Sequence, residues 1–144
     1  NHNVETVRRL FKAVQPQDNY EWAIATLQNA KLLRSDAVTK TGIMLGLGEE
    51  PDEVLAVMRD LRAVDVDILT LGQYLQPSKQ HLPIARYYTP QEFAEFRRAG
   101  LEMGFKWVES GPLVRSSFRA EFQARALSKR WRSGQLAASE VATH

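Results

Sequence analysis

Val38-Thr39-Lys40-Thr41-Gly42-Ile43-Met44-Leu45-Gly46-Leu47-Gly48-Glu49-Glu50-Pro51-Asp52-Glu53, followed one helix-length later by Asp67-Ile68-Leu69-Thr70-Leu71-Gly72-Gln73-Tyr74, decides the fold class. Val38 to Leu47 is rich in β-compatible residues, and Gly46 and Gly48 end it as a strand. Pro51-Asp52-Glu53 opens a helix, with proline near the first turn and carboxylates at the positive end of its dipole. That helix runs to about Ala63 and buries Val54, Leu55, Met58 and Leu61. Asp67 to Tyr74 reads as a second strand, apolar on both faces. Strand, helix and strand at this spacing imply parallel pairing with right-handed crossovers.

The flanks extend the alternation. Glu5 to Val14 has helical apolar spacing and stops at Pro16. Asn19 caps a helix from Tyr20 to Leu33, whose Trp22, Ala23, Ala25, Ala30 and Leu33 suit one buried stripe. Gln76 to Tyr88 is a loop. Thr89-Pro90-Gln91-Glu92 then opens a helix that runs to Met103 and stops at Gly104. Phe105 to Val108 is a short strand, and Gly111-Pro112 breaks the chain. Strands apolar on both faces need neighbours, so the pattern fits part of a larger (β/α) barrel better than a small open layer.

Bulk properties exclude some classes. The 144 residues fit one domain. The longest apolar runs fall well short of the roughly 20 residues that cross a bilayer, so no membrane association is expected. The net charge of +2 is weak evidence for a polyanion, and no nucleic acid is expected. Residues 1–110 carry 13 Lys/Arg and 15 Asp/Glu, whereas residues 111–144 carry 6 and 2, so the basic character sits at the end. The chain has no cysteine, which excludes disulfides and thiolate-bound clusters made by these residues alone. It begins at Asn1, with no targeting segment visible, and reads as a fragment.

In parallel α/β sheets chemistry gathers where strands end. Gly46 to Glu50 could bring a ligand close to backbone, or it is simply a tight turn. It is neither a complete dinucleotide fingerprint nor a P-loop. Gly72 to Ser78 offers two amides and a phenol, which orient a ligand but perform no acid–base work near neutral pH; the plainer reading is a loop that satisfies its own backbone. Gly111 to Arg119 sets two adjacent hydroxyls between arginines, suited to phosphate or to a serine of lowered pKa. A hydrolase triad lacks a partner, since nothing brings His2, His81 or His144 to Ser116 or Ser117. His2 and His81 lack zinc-ligand spacing.

Six segments in order carry a resemblance: Asn1 to Val7, Thr39 to Glu49, Met58 to Arg62, Leu69 to Ser78, His81-Leu82-Pro83, and Ser110 to Phe118. Together they resemble the later half of lipoyl synthases, over residues 1 to about 125. The resemblance implies an α/β fold, the C-terminal portion of a partial (β/α)6 TIM-like barrel of the radical S-adenosylmethionine (SAM) type, with a C-terminal extension. Residues 1–110 would complete the barrel and 111–127 form the extension with Arg115-Ser116-Ser117-Phe118, leaving 128–144 as a disordered tail.

The resemblance also implies sulfur insertion at carbons 6 and 8 of a protein-bound octanoyl-lysine. One [4Fe–4S] cluster cleaves SAM to a radical that abstracts hydrogen, and a second, auxiliary [4Fe–4S] cluster gives up its sulfurs. An unactivated C–H bond offers acid–base chemistry no handle, so a cofactor radical is required. The family's cluster cysteines lie upstream of the matched region, so this stretch alone is expected to hold no cluster and to be inactive. The auxiliary cluster's serine ligand maps onto Ser117, with Ser116 as the alternative, and an alkoxide is a harder partner for iron than thiolate. Phe118 stands where the family usually has tyrosine.

Candidate SAM contacts are Asn3, Glu5, Lys40, Gly46, Gly48 and Glu49; candidate substrate contacts are Gln73, Tyr74 and Arg115. Implied partners are an octanoylated lipoyl carrier (glycine cleavage H protein or a 2-oxoacid dehydrogenase lipoyl domain) and a reductant such as ferredoxin or flavodoxin. The implied location is cytoplasmic in a bacterium, mitochondrial or plastid in a eukaryote. Two readings from other classes stand beside it: a SAM- or carrier-binding module without catalysis, and an unrelated α/β phosphate-binding enzyme.

Overall fold

The computed structural model describes residues 2–115. A three-residue 3-10 turn (Arg8–Leu10) leads into α1 (Phe11–Val14), followed by α2 (Tyr20–Leu33), β1 (Lys40–Leu45), α3 (Pro51–Ala63), β2 (Ile68–Gln73), α4 (Pro90–Met103) and β3 (Trp107–Gly111). The strands form one parallel sheet in the order β1-β2-β3. Lys40 pairs with Ile68, which pairs with Trp107, and the register runs to Gly72 beside Gly111.

That register assigns the two faces, because side chains alternate along a strand. Ile43, Leu45, Leu69, Leu71 and Val108 share one face and merge with Tyr20, Ala23 and Leu27 of α2, Val54, Met58 and Leu61 of α3, and Phe93 and Phe96 of α4. All three long helices therefore cover the same side. The opposite face carries Lys40, Gly42 and Met44, then Ile68, Thr70 and Gly72, then Trp107, Glu109 and Gly111. Only Ile68 and Trp107, with Val38, form an apolar cluster there.

Before the sheet the chain behaves differently from its periodicity. Residues 2–5 run as a fourth parallel segment beside β1: the Glu5 N–H donates to the Gly42 carbonyl at 2.9 Å, and the Glu5 carbonyl accepts from the Met44 N–H at 2.8 Å. The helix expected from Glu5 accordingly begins only at Arg8. In α2 the expected boundaries and the Asn19 cap hold, but the stripe is turned. Trp22 and Leu33 are 67% and 85% exposed; of the expected stripe Ala23 faces inward, joined by Tyr20 and Leu27. Tyr20 sets that rotation, its ring edge-on to Phe11 and its hydroxyl donating to Asp60 at 2.8 Å.

Asp67, buried just before β2, ties the lower end of the sheet together. Its carboxylate accepts from the Thr39 N–H at 2.9 Å and from Lys31 at 2.7 Å, and its carbonyl accepts from the Lys106 N–H at 2.9 Å. The third strand consequently starts two residues later than the apolar run Phe105 to Val108 suggests, and continues to Gly111.

The start of α4 is a reciprocal cap. The Thr89 hydroxyl accepts from the Glu92 N–H at 3.1 Å, and the Glu92 carboxylate accepts from the Thr89 N–H at 2.9 Å. Thr89→Ala is expected to cost about 1 kcal/mol, read as a shift in the denaturant midpoint. No helix among the described residues is long and apolar enough to cross a membrane.

Candidate functional site

The upper ends of the parallel strands open onto two adjoining cavities. A chamber of about 270 Å³ lies on the face away from the helices, against Gly42, Thr70 and Gly72, with Glu5 and Arg115 in its wall. A cleft of about 770 Å³ lies beside it at the rim, between Asn3, Val14 and Pro16 on one side and Tyr74, Leu82 and Pro83 on the other. Glu5, Met44 and Leu75 border both. The cleft alone has the size of an ordinary ligand site.

Glu5 is the most constrained residue here. Its φ is 75°, in the left-handed region that a non-glycine side chain rarely adopts. Such strain persists only where surrounding structure enforces it, and the two ladder bonds to Gly42 and Met44 do so. Burial holds its carboxyl above the ordinary glutamate value, with the Asn3 hydrogen bond and the His2 charge opposing. An acid whose pKa is raised by folding destabilises the fold once it ionises. Stability from this group is full at acid pH and falls as pH rises from the ordinary glutamate value through the raised one. Glu5→Gln is therefore expected to raise the denaturant midpoint near neutral pH and to leave it unchanged well below the ordinary value. The midpoint at the two pH values checks this.

The Gly46–Glu49 turn is held by its own acid. The buried Glu49 carboxylate accepts from the Gly46 N–H at 2.9 Å, the Leu47 N–H at 3.0 Å and the Tyr88 hydroxyl at 2.7 Å. The Tyr88 hydroxyl is pushed far above its usual value, by burial first and by Glu49 second. Gln73 works the same way from β2. Its Nε2 donates to the Arg86 carbonyl at 3.0 Å and the Tyr74 carbonyl at 3.1 Å, and its Oε1 accepts from the Tyr88 N–H at 3.0 Å. The Tyr74 hydroxyl donates to the Leu82 carbonyl at 2.6 Å. Glu49, Gln73 and Tyr74 thus bind the returning loop of residues 76–88 onto the strand ends.

The expected site residues divide accordingly. Glu5 and Arg115 meet at the chamber, with Asn3 beside them at the cleft. Gly46, Gly48 and Glu49 form the turn behind that edge. Gln73 touches the chamber but directs its amide into the loop. Lys40 lies at the other end of β1, five residues from Leu45 and so about 17 Å down the strand. It is buried, and its ammonium is pushed below its usual value by burial, with Glu109 opposing. Ser116 and Ser117, Phe118 and the 128–144 tail lie outside the described residues.

Sequence reasoning missed Tyr88, Arg86, Thr70 and Gly42. Tyr88 and Arg86 act through contacts 39 and 13 residues away, which no local pattern announces. The alternate-residue run of small or polar positions in otherwise apolar strands, Gly42 with Thr70 and Gly72, is the available signal.

Iron–sulfur clusters need thiolates, and the chain has none. Among the described residues no group of three or more His, Cys, Asp or Glu is placed to hold a metal. These residues therefore do not by themselves fit a cluster. They do offer a polar lining of both charge signs: Glu5, Arg115, Thr70 and glycine-exposed backbone converge on one chamber.

No family model matches the chain. Among curated proteins, it is 60% identical over 124 residues to a lipoyl synthase of Idiomarina loihiensis, covering 86% of this chain and 38% of that protein. It is 58% identical over 123 residues to a lipoyl synthase of Rubrobacter xylanophilus, covering 85% and 38%. It is 54% identical over 125 residues to a lipoyl synthase of Pseudomonas fluorescens, covering 87% and 37%. The chain thus spans well under half the length of these relatives, in their C-terminal part.

Proposed function

Because the chain belongs to the lipoyl synthase family over its C-terminal part, we propose that it forms the closing segment of a radical SAM barrel in a sulfurtransferase. The proposed reaction replaces one hydrogen with sulfur at each of carbons 6 and 8 of an octanoyl group carried on a lysine. One observation carries this reading: the chamber on the helix-free face, where Glu5, Thr70 and Arg115 converge at the ends of parallel strands. In a barrel that face is the interior, and the strand ends form its mouth. Residues 1–110 are the barrel part and 111–127 the extension.

SAM, bound with its cluster, would supply the radical that removes hydrogen from carbon. The residues of this chain bind and position. Asn3 and Glu5 would hold the amino or hydroxyl groups of SAM, and the strained backbone at Glu5 fixes its carboxylate in advance. Glu49 holds the Gly46–Gly48 turn, whose backbone would line the cofactor's side of the rim. Gln73 and Tyr74 act on the substrate through the 76–88 loop, which closes the rim and keeps water from the chamber. Arg115 lends positive charge at the chamber wall, and Ser117, outside the described residues, would be the ligand this chain gives to an auxiliary cluster held by thiolates of the full-length protein.

The proposed partners are an octanoylated carrier, either glycine cleavage H protein or a 2-oxoacid dehydrogenase lipoyl domain, and a ferredoxin or flavodoxin as reductant. With bacterial relatives, the proposed site of action is the cytoplasm. The test uses the full-length protein, reconstituted anaerobically with iron and sulfide, given SAM, a reductant and an octanoylated carrier domain. Mass spectrometry of the carrier should show the gain of two sulfurs as the dithiol, with two hydrogens fewer once it is oxidised to the disulfide. An unmodified carrier beside cleaved SAM would refute the assignment.

A further inference from the structure

We infer that Gly72 is a positioning residue: its missing side chain seats residues 112–115 as a strap across the helix-free face, and so holds Arg115 at the chamber. The inference deepens the reading above and rests on it for the role of Arg115.

A Cβ on Gly72 would meet the Val114 carbonyl oxygen at 2.2 Å and its carbon at 3.2 Å. The obstacle is backbone, which cannot rotate aside as a side chain can. Gly72 is buried in the middle strand and paired on both sides, with Met44 and Gly111, so the sheet has little room to yield. The strap is the softer partner. It hangs on a turn bond from the Val114 N–H to the Gly111 carbonyl at 3.2 Å, and its Leu113 is 88% exposed. An alanine at 72 therefore lifts the strap and leaves the sheet in place. Arg115 leaves the chamber with it, since its guanidinium folds back onto the Val114 carbonyl at 2.8 Å. Gly111 supplies the contrast. It stands level with Gly72 on the same face, yet its Cβ would meet only the Val114 Cγ2 at 3.6 Å, an ordinary contact.

Limited trypsin digestion of the full-length protein reads the strap directly, through cleavage after Arg115. Gly72→Ala is expected to accelerate that cut by about tenfold or more, because cleavage follows the population of the open segment. Gly111→Ala is expected to stay within about twofold of the unmodified rate. No acceleration in a folded Gly72→Ala protein, or equal acceleration by Gly111→Ala, overturns the inference. Should Gly72→Ala fail to fold, the unmodified protein decides. Cleavage after Arg115 about tenfold or more slower than in the denaturant-unfolded chain supports the seat, and cleavage at the unfolded rate overturns it.

Assay of the unmodified full-length protein separates this inference from the reading it rests on. A carrier left unmodified removes the role given to Arg115, while strap release by Gly72→Ala would still stand.

Discussion

Gly46→Ala is expected to lower stability by roughly 3 kcal/mol or more, from backbone strain and overpacking together. The residue has φ of 110°, beyond even the left-handed region that other residues occasionally visit. A Cβ there would lie 2.4 Å from Gln73 Nε2 and 2.6 Å from the Arg86 carbonyl oxygen. The Gln73 amide cannot swing away cheaply, because its bonds to Arg86, Tyr74 and Tyr88 are the clamp that holds the 76–88 loop. Gly48→Ala is the matched control. Its φ is 113°, but its Cβ would meet only the Ala85 Cβ at 4.0 Å. It should therefore lose only the strain component, about 1–3 kcal/mol. Denaturant midpoints of both variants check the difference. Equal losses would mean that the close approach of Gln73 and Arg86 has no energetic weight.

If Ser117 ligates the auxiliary cluster as proposed, Ser117→Ala is expected to reduce sulfur insertion by the full-length protein by about a hundredfold or more, while reductive cleavage of SAM continues. Changes merely to the groups around metal ligands cost 10–100-fold, and loss of a ligand should cost at least as much. Ser117 lies outside the described residues, but Arg115 lines the chamber. Parallel measurement of Ser116→Ala decides between the neighbouring hydroxyls. If it abolishes insertion and Ser117→Ala does not, the ligand moves by one residue. If neither variant affects insertion, the serine pair has no part in the chemistry.

Element boundaries were readable wherever a local chemical mark stood at the end. Asn19 before α2 and Thr89 with Glu92 opening α4 satisfy free N–H groups from within a few residues, and Pro51 opening α3 has no N–H left to satisfy. Their helices begin where those residues stand. β2 was readable from the short apolar run Ile68-Leu69-Thr70-Leu71, and all six of its residues are buried. The errors have one origin. Glu5 has helical neighbours in sequence, yet β1 offered it ladder bonds that a helix could not match. Trp22 and Leu33 have the right spacing for a stripe, yet Tyr20 found Phe11 and Asp60 and turned the helix the other way.

The candidate site divides in the same manner. Glycine and carboxylate at the strand ends marked where a site would form, because residue types that allow close backbone approach or carry charge are local facts. The jobs of those residues were not local. Glu49 answers Tyr88 across 39 residues, and Gln73 answers Arg86 and Tyr88 across the whole returning loop. Lys40 and Glu5 both looked like ligand groups, but one stands at the foot of β1 and the other at its upper end. The order of strands and helices, their parallel pairing and their caps follow from interactions within a few residues and from simple periodicity. Which face of each element is used, and which polar group answers which, depends on contacts between segments far apart in the chain. Those contacts exist only once the sheet has assembled and burial makes an unanswered polar group costly.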